Sequence, residues 1–369
     1  MNLYARYVGW LYFKYFAILF IALTLFYVGI DILTNLKDMP ASANLKLLYF
    51  GLTSLTAVNY VLPLALIFAL ITSKFSMIRS NELVSFYALG IDKNRLIKPP
   101  FYIALAISKN KLILPPFLIA FFVTIFYVGL NFTPFAYAYE YGRNIVKLSN
   151  LSRTSSDIFL KFEGKFVYMD SLNPISGEAK DVRIFDINGS NLRSATFGES
   201  GRFIDDAWLL KNAKIVNLPQ NIKLGEKGLD IKTPSELKTL ENFKPKTIES
   251  ASAESSAITI PDAVDYILAF KDEGIGLNST KTTLYNLAFA PFFAPFMVLI
   301  IYYFLPVTGR FFNLALKSFI FTIASLCVWG ALFVMMRFAR NGVVSPEVGV
   351  LLPIILLGAY AFYLRFGSR

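Results

Sequence analysis

Residues 73–98 read SKFSMIRSNELVSFYALGIDKNRLIK, a basic, half-apolar stretch held between long hydrophobic runs. Its cations are Lys74, Arg79, Lys93, Arg95 and Lys98, set against the acids Glu82 and Asp92. Short loops rich in Lys and Arg lie on the cytosolic side of a membrane. The stretch therefore reads as an inside loop, and the runs beside it as spans. Its length predicts a helix over about 74–90, closed at Gly90, where a left-handed cap costs least. A helix hung beneath a membrane domain is placed to receive force from a soluble partner.

Composition agrees with the membrane reading. Of 369 residues, 55% are hydrophobic and 16% aromatic, with a mean hydropathy of +0.53. That is more apolar surface than one soluble core buries. The net charge of +11 is not a nucleic-acid footprint. Residues 137–281, the long polar stretch, carry 19 Lys+Arg and 20 Asp+Glu. The excess thus sits in the membrane halves, where it sets topology and meets lipid headgroups. Histidine is absent and the one cysteine is Cys327. An intrachain disulfide, a Cys/His zinc site and a Ser-His-Asp triad are excluded, and no catalytic or metal-ligating set is predicted. The N-terminal apolar run lacks a small-residue cleavage site and reads as a retained anchor.

In chain order, residues 1–15 suggest an interfacial helix leading into a first span over 16–32. A second span covers 47–72 with Pro63 inside it. Next, residues 93–101, KNRLIKPPF, recur as KNKLILPPF at 109–117, a local repeat of 93–108 in 109–124. The apolar piece of the first copy is too short to cross roughly 30 Å of hydrocarbon. The third span is therefore expected to use the second copy, starting near Leu112, with the first copy at the cytosolic interface or extending the helix into the cytosol. Residues 140–255 show short β-prone runs at 166–170, 182–187, 207–210 and 214–216. Turn signals stand at Asn173-Pro174, Ser176-Gly177 and Asn188-Gly189. Such spacing predicts a sandwich or jelly roll. Ser250–Ser256 reads as a linker, followed by a short amphipathic helix from Thr259 to Phe270. Three more spans follow, over 284–305, 318–338 and 350–364.

The expected architecture is an α-helical polytopic membrane protein with six transmembrane helices and an inserted all-β, jelly-roll-like domain. Its parts are 1–136, 137–256 and 257–369. Short loops 1–14, 74–111, 306–317 and 365–369 hold 13 Lys+Arg against 2 acids, and loops 31–46 and 337–347 hold 4 against 3. This bias predicts both termini inside and the β domain outside. No GxxxxGK[ST] pattern occurs, so this chain is not expected to bind ATP itself. The spans are poor in acids, which disfavours ion-coupled transport. If transport occurs, its energy enters from another subunit.

Four stretches, RYVGWLYFKYF at 6–16, D-x-L-x-x-L-K at Asp31–Lys37, RSNELVSFYALGI at 79–91 and N-x-x-P at Asn131–Pro134, resemble the lipopolysaccharide-export permease family, LptF/LptG. So does the plan of three spans, a β domain and three spans. Asp31–Lys37 and FVYMD at 166–170 favour the LptG-like branch. The repeat departs from the family pattern, and deleting one copy restores the usual spacing. The resemblance implies the permease subunit of an inner-membrane ABC exporter in Gram-negative bacteria, which extracts lipopolysaccharide and passes it to a periplasmic bridge. It implies no cofactor in this chain, with ATP used by a cytosolic ABC ATPase dimer (LptB-like). The other implied partners are a paralogous permease (LptF-like or LptG-like), a membrane-anchored periplasmic protein (LptC-like) and the bridge (LptA-like).

By the same resemblance the helix near Glu82 couples to the ATPase. Glu82 would meet a basic partner residue, Leu83, Phe86 and Tyr87 would anchor, and Gly90 would close the helix. A lone acid beside apolar anchors suits that role, though Glu82 also suits an ordinary first-turn acid. Lys37 resembles a position where LptG-type chains place a cation near substrate phosphates, though a snorkelling lysine looks the same. Arg337 and Arg340 could serve similarly. The alternatives are a permease of another lipid or lipoprotein exporter, a non-transporting scaffold that anchors a β domain, and an integral-membrane enzyme.

Overall fold

The computed structural model describes residues 3–89, 116–149, 154–188, 191–219, 228–252, 257–271, 276–306, 308, 310 and 313–366. Gly90, the first repeat copy, the start of the third span, Gly189 and residues 253–256 of the expected linker lie outside them. The chain forms two compact units. One comprises Met1–Lys37, Phe50–Phe135 and Thr282–Arg369; the other comprises Asp38–Tyr49 and Ala136–Lys281.

The first unit is helical. It contains α1 (Leu3–Asn35), the body of α2 (Ala43–Arg79), α3 (Glu82–Ala88) and α4 (Pro116–Leu130). Among the described residues, five helices are long and apolar enough to cross a membrane, or up to six if Pro116–Leu130 is counted with the helix after it. The polytopic reading and the inserted β domain both stand. The interfacial segment expected over 1–15 is continuous with the first span, in a single helix of 33 residues. α2 is the hub: 61% of its most apolar window is buried, against 11% for α1. Ala57, Ala65 and Ala69 are fully buried on it, as small residues that let neighbouring backbones approach.

The helix expected over 74–90 is in fact two pieces. α2 runs through Arg79, the chain turns at Asn81 in the left-handed region (φ 58°), and α3 then takes up seven residues. Asn tolerates that conformation better than most residues, so the break needs no glycine. Lys74, read as a loop cation, is corrected too. It lies inside α2 and is 1% exposed, with Nζ 3.9 Å from Met77 Sδ and 5.0 Å from the centre of the Tyr302 ring.

In the second unit, α5 (Ala138–Leu148) precedes an eight-stranded antiparallel sheet. Its strands are β1 (Ser155–Phe162), β2 (Lys165–Asn173), β3 (Glu178–Asn188), β4 (Asn191–Ile204), β5 (Ala207–Lys211), β6 (Lys214–Asn217), β7 (Asp230–Lys232) and β8 (Glu236–Thr239). Neighbours follow sequence order from β1 to β5, with β8 beyond β5. β4 serves two partners on one side: residues 194–197 pair with β6 and residues 200–204 with β5. Two hairpins have two-residue loops with positive φ at both positions, Glu163-Gly164 (48° and 75°) and Asp205-Asp206 (49° and 56°). Their twist matches that of the strands they join.

α6 (Pro245–Ser252) packs on β1 and β2, so Ser250–Ser252 end a helix and are not linker. α7 (Ile260–Phe270) packs on α6 and opens with a capping box between Thr259 and Asp262. Phe162 stacks on Phe243 at 4.2 Å between ring centres, and Phe270 meets both edge-on. Trp208, fully buried, donates Nε1–H to the Phe243 carbonyl at 2.7 Å. Trp208→Phe is expected to destabilise this unit by about 1–3 kcal/mol, the cost of leaving a buried partner unpaired. Denaturant unfolding of the full chain in detergent, followed at β5 by hydrogen exchange, checks it; an unchanged midpoint counts against the bond.

A polar knot holds α5 to α6. Lys246 Nζ lies 3.2 Å from Glu140 Oε2 and 2.6 Å from Glu249 Oε2, and the Ala257 N–H donates to Glu140 Oε2 at 2.9 Å. The Lys246 ammonium also sits 4.6 Å from the centre of the Tyr137 ring.

α8 (Asn278–Ala288), which enters the first unit at Thr282, gives way to a tight 3-10 turn at Ala290–Phe292 and continues as α9 (Phe293–Phe304). Pro291 lies within that turn, where its missing N–H suits a break in the helix ladder. α10 (Leu314–Arg340) leads through a π-helical turn, Glu347–Leu351, into α11 (Leu352–Phe366).

Candidate functional site

Two places in the helical unit carry the predicted site residues. At the α2–α3 corner, Glu82 opens α3 and its Oε2 accepts a hydrogen bond from the Tyr7 hydroxyl at 2.9 Å. Leu83 is 4% exposed and belongs to the hydrophobic core, with Phe86 and Tyr87 packed partly buried against it. Their spacing, i, i+3 and i+4, is the inward stripe of an amphipathic helix. The face left outside holds Val84, Ser85, Ala88 and Leu89, the last 77% exposed. Reading Leu83, Phe86 and Tyr87 as outward anchors thus left out Val84 and Leu89. The same periodicity, applied to α3 alone, points to them.

The second place is a cavity of about 280 Å³ between α2, α4, α8, α9, α10 and the turn before α11. Arg337 and Arg340, one turn apart at the end of α10, both line it. Neither takes part in an ion pair among the described residues. The Arg337 guanidinium lies 5.1 Å from the centre of the Phe333 ring, a cation–π distance, and the residue is exposed. The apolar wall includes Trp329, Leu332 and Phe333, and the polar wall includes Asn59, Tyr127 and Asn286. Tyr127 donates to Asn59 Oδ1 at 2.9 Å.

Lys37 sits exposed in the turn after α1 and does not line this cavity. Of the three cations read from sequence, the fold brings two together. Asn59 and Asn286 were missed, although an amide inside an apolar run is costly enough to be a signal. Such a volume fits a headgroup or part of a chain rather than a whole multi-chain lipid, since drug-sized ligands fill about 300–1,000 Å³.

The wall behind the arginines depends on a close approach. A Cβ built on Gly349, in the turn before α11, would stand 2.4 Å from Ala339 Cβ and 2.9 Å from the Met335 carbonyl on α10. Across the turn, Tyr285 of α8 donates to Glu347 at 3.3 Å. Together these contacts fix the end of α10 against its neighbours. The α2–α3 corner and the cavity both rest on α2, and the helical rise from Asn59 to Arg79 separates them by about 30 Å.

A family model described as lipopolysaccharide export system permease LptF/LptG matches residues 6–109 and 107–365, leaving unmatched the first five and last four of 369 residues. The matched stretches meet at 107–109, where the first repeat copy gives way to the second. An inserted copy would split a match there. No curated protein matches the chain.

Proposed function

Since the chain belongs to the LptF/LptG family of lipopolysaccharide export permeases, we propose that it draws lipopolysaccharide from the inner membrane and passes it to a periplasmic bridge, using ATP hydrolysed by a separate cytosolic subunit. The family is a transport permease, not an enzyme, and the role of this chain is to convert a push from outside into movement of lipid. In this reading both termini are cytosolic and the β domain is periplasmic, as the charge bias of the short loops favours. The chain is read as LptG-like. The partners are an LptB-like ATPase dimer, an LptF-like permease, an LptC-like membrane-anchored protein and an LptA-like bridge. α1 and α10, whose most apolar windows are 11% and 6% buried within the chain, leave wide apolar faces for lipid and for the second permease.

The observation that carries the reading is α3 itself. It is a seven-residue helix set off from α2 by a left-handed residue, with an acid at its start and Val84 and Leu89 on its open face. An apolar patch beside one charge gives affinity from burial and register from the ion pair. Residues Leu83, Phe86 and Tyr87 act from behind, holding α3 to the core, and Gly90 follows it. In the cavity at the middle of α2, Arg337 and Arg340, which form no ion pair among the described residues, offer two guanidiniums suited to a phosphate, with Lys37 as a further contact at headgroup level.

The test is replacement of the native permease by Glu82→Ala in cells depleted of the wild-type copy. Co-purified ATPase should fall roughly tenfold or more, the size of a lost hot-spot contact, and lipopolysaccharide should accumulate in the inner membrane. Normal ATPase recovery with normal export would remove the docking role.

A further inference from the structure

We infer that Tyr7, near the start of α1, is a positioning residue for Glu82, and that through it the first span moves with α3. The inference rests on the reading of α3 as the docking helix. Tyr7 grips α3 at two points. Its hydroxyl donates to Glu82 Oε2 at 2.9 Å, and its ring lies 6.4 Å from the Phe86 ring, tilted by 60°. Glu82 and Phe86 are four residues apart, so both contacts fall on one side of the helix. Val84, Ser85, Ala88 and Leu89 stay exposed.

A seven-residue helix does not hold its own shape in water. α3 joins α2 through Ser80 and the left-handed Asn81, a break in the helix ladder. Direction must come from packing, and Tyr7 supplies part of it. An ionised carboxylate accepts through both oxygens. With Oε2 held by Tyr7, Oε1 takes no hydrogen bond from another described residue and is open to a cationic donor on a partner. The hydroxyl thus removes rotamer freedom that a docking event would otherwise have to freeze.

The same contacts give a route for force. α1 is one helix of 33 residues, about 50 Å long, from the Tyr7 end to the turn that carries Lys37. Two further tyrosines fasten its first half to α2. Tyr12 donates to the Leu66 carbonyl at 3.0 Å, and Tyr15 lies 3.3 Å from Ser76 Oγ. A displacement of α3 therefore reaches α1 directly through Tyr7.

The experiment uses the assembled exporter in vesicles and measures lipopolysaccharide delivered per ATP hydrolysed for wild type, Y7F, E82Q and the double variant. Y7F keeps the ring and loses the hydroxyl, so its melting temperature should match wild type. Delivery per ATP should fall about threefold to tenfold in Y7F, the loss of one charge-assisted hydrogen bond. E82Q should fall at least as far, and the double variant no further than E82Q, because the two groups act as one unit. Y7F with wild-type delivery per ATP overturns the inference, as does a double variant whose loss is the product of the single losses. If E82Q itself delivers like wild type, the docking role of α3 fails and this inference with it. E82Q impaired beside a normal Y7F leaves that role standing and removes Tyr7 alone.

Discussion

Replacing Gly349 by valine is expected to cut the yield of folded, monodisperse protein by about tenfold or more, and to remove what transport the remainder supports. Even the Cβ alone would fall 2.4 Å from Ala339 Cβ and 2.9 Å from the Met335 carbonyl. Ala339 is fully buried, so it has no room to withdraw. The carbonyl belongs to a helix backbone, which shifts only if the whole helix does. Overpacking of this kind costs about 1–3 kcal/mol where side chains can adjust, and more where backbone must yield. Separating the π-helical turn from α10 also displaces Arg337 and Arg340, which sit beside Ala339. The milder Gly349→Ala should be partly rescued by Ala339→Gly, which removes one of the two clashing atoms. Size-exclusion profiles and melting of the purified chain read the effect. Wild-type behaviour of Gly349→Val would show that the two helices do not pack as closely as described.

The second large effect is expected from Lys246→Met. The Lys246 side chain is 17% exposed and those of Glu140 and Glu249 are 6% and 4%, so removing the cation leaves two carboxylates facing each other out of water. Breaking a buried ion pair from one side costs about 3–5 kcal/mol, a large part of the stability of a domain. Lys246→Arg, which keeps the charge, should cost much less.

The pH dependence has a definite sign. In the wild-type chain burial holds the Glu249 carboxyl above the usual carboxylate range, with Lys246 opposing and Glu140 adding to the effect. A group raised in the folded state gives its full stabilisation below its unfolded value, about 4.3 for Glu, and loses it as pH rises through the folded value. The penalty of Lys246→Met should therefore shrink as pH falls from 7 into the carboxylate range, where the stranded Glu249 takes up a proton. Two carboxylates together hold the Lys246 ammonium above its ordinary value against the effect of burial, so its own contribution is lost only at strongly alkaline pH. Hydrogen exchange in β1, where α6 packs, follows the variant across that range. A penalty that is the same at pH 7 and pH 5 would mean that the knot is solvated rather than buried.

Much of this was legible in the chain. Span positions followed from apolar runs, because a bilayer imposes length and composition on any helix that crosses it. The strands at 166–170, 182–187, 207–210 and 214–216 followed from β-prone runs, and all four lie within strands of the sheet. The hairpin turns at Glu163-Gly164 and Asp205-Asp206 were missed. Two aspartates in a row are a weak turn signal by composition, and the register of the flanking strands is what demands positive φ there. The boundary between α2 and α3 was missed for a related reason. The basic stretch looked uniform by charge, whereas the break is a backbone event at Asn81.

Charge counting also misplaced Lys74, because a count does not know which way a helix faces. The same limit governed the site residues. Leu83, Phe86 and Tyr87 were picked as apolar neighbours of Glu82, and only packing assigned them to the inner side of α3. Arg337 and Arg340 were two cations after a span until the fold set them in one cavity with Asn59 and Tyr127, residues far away in sequence.

By itself, then, the sequence determined what the solvent dictates: helices that span, a β domain between them, and the family to which the Glu82 stretch points. Each of these follows from composition, period or a local motif. The tertiary structure alone decided what depends on two distant segments meeting: the Tyr7–Glu82 contact, the approach of Gly349 to Ala339, and the knot around Lys246. Such contacts are set by close packing between elements, and no local pattern in one element records where its neighbour lies.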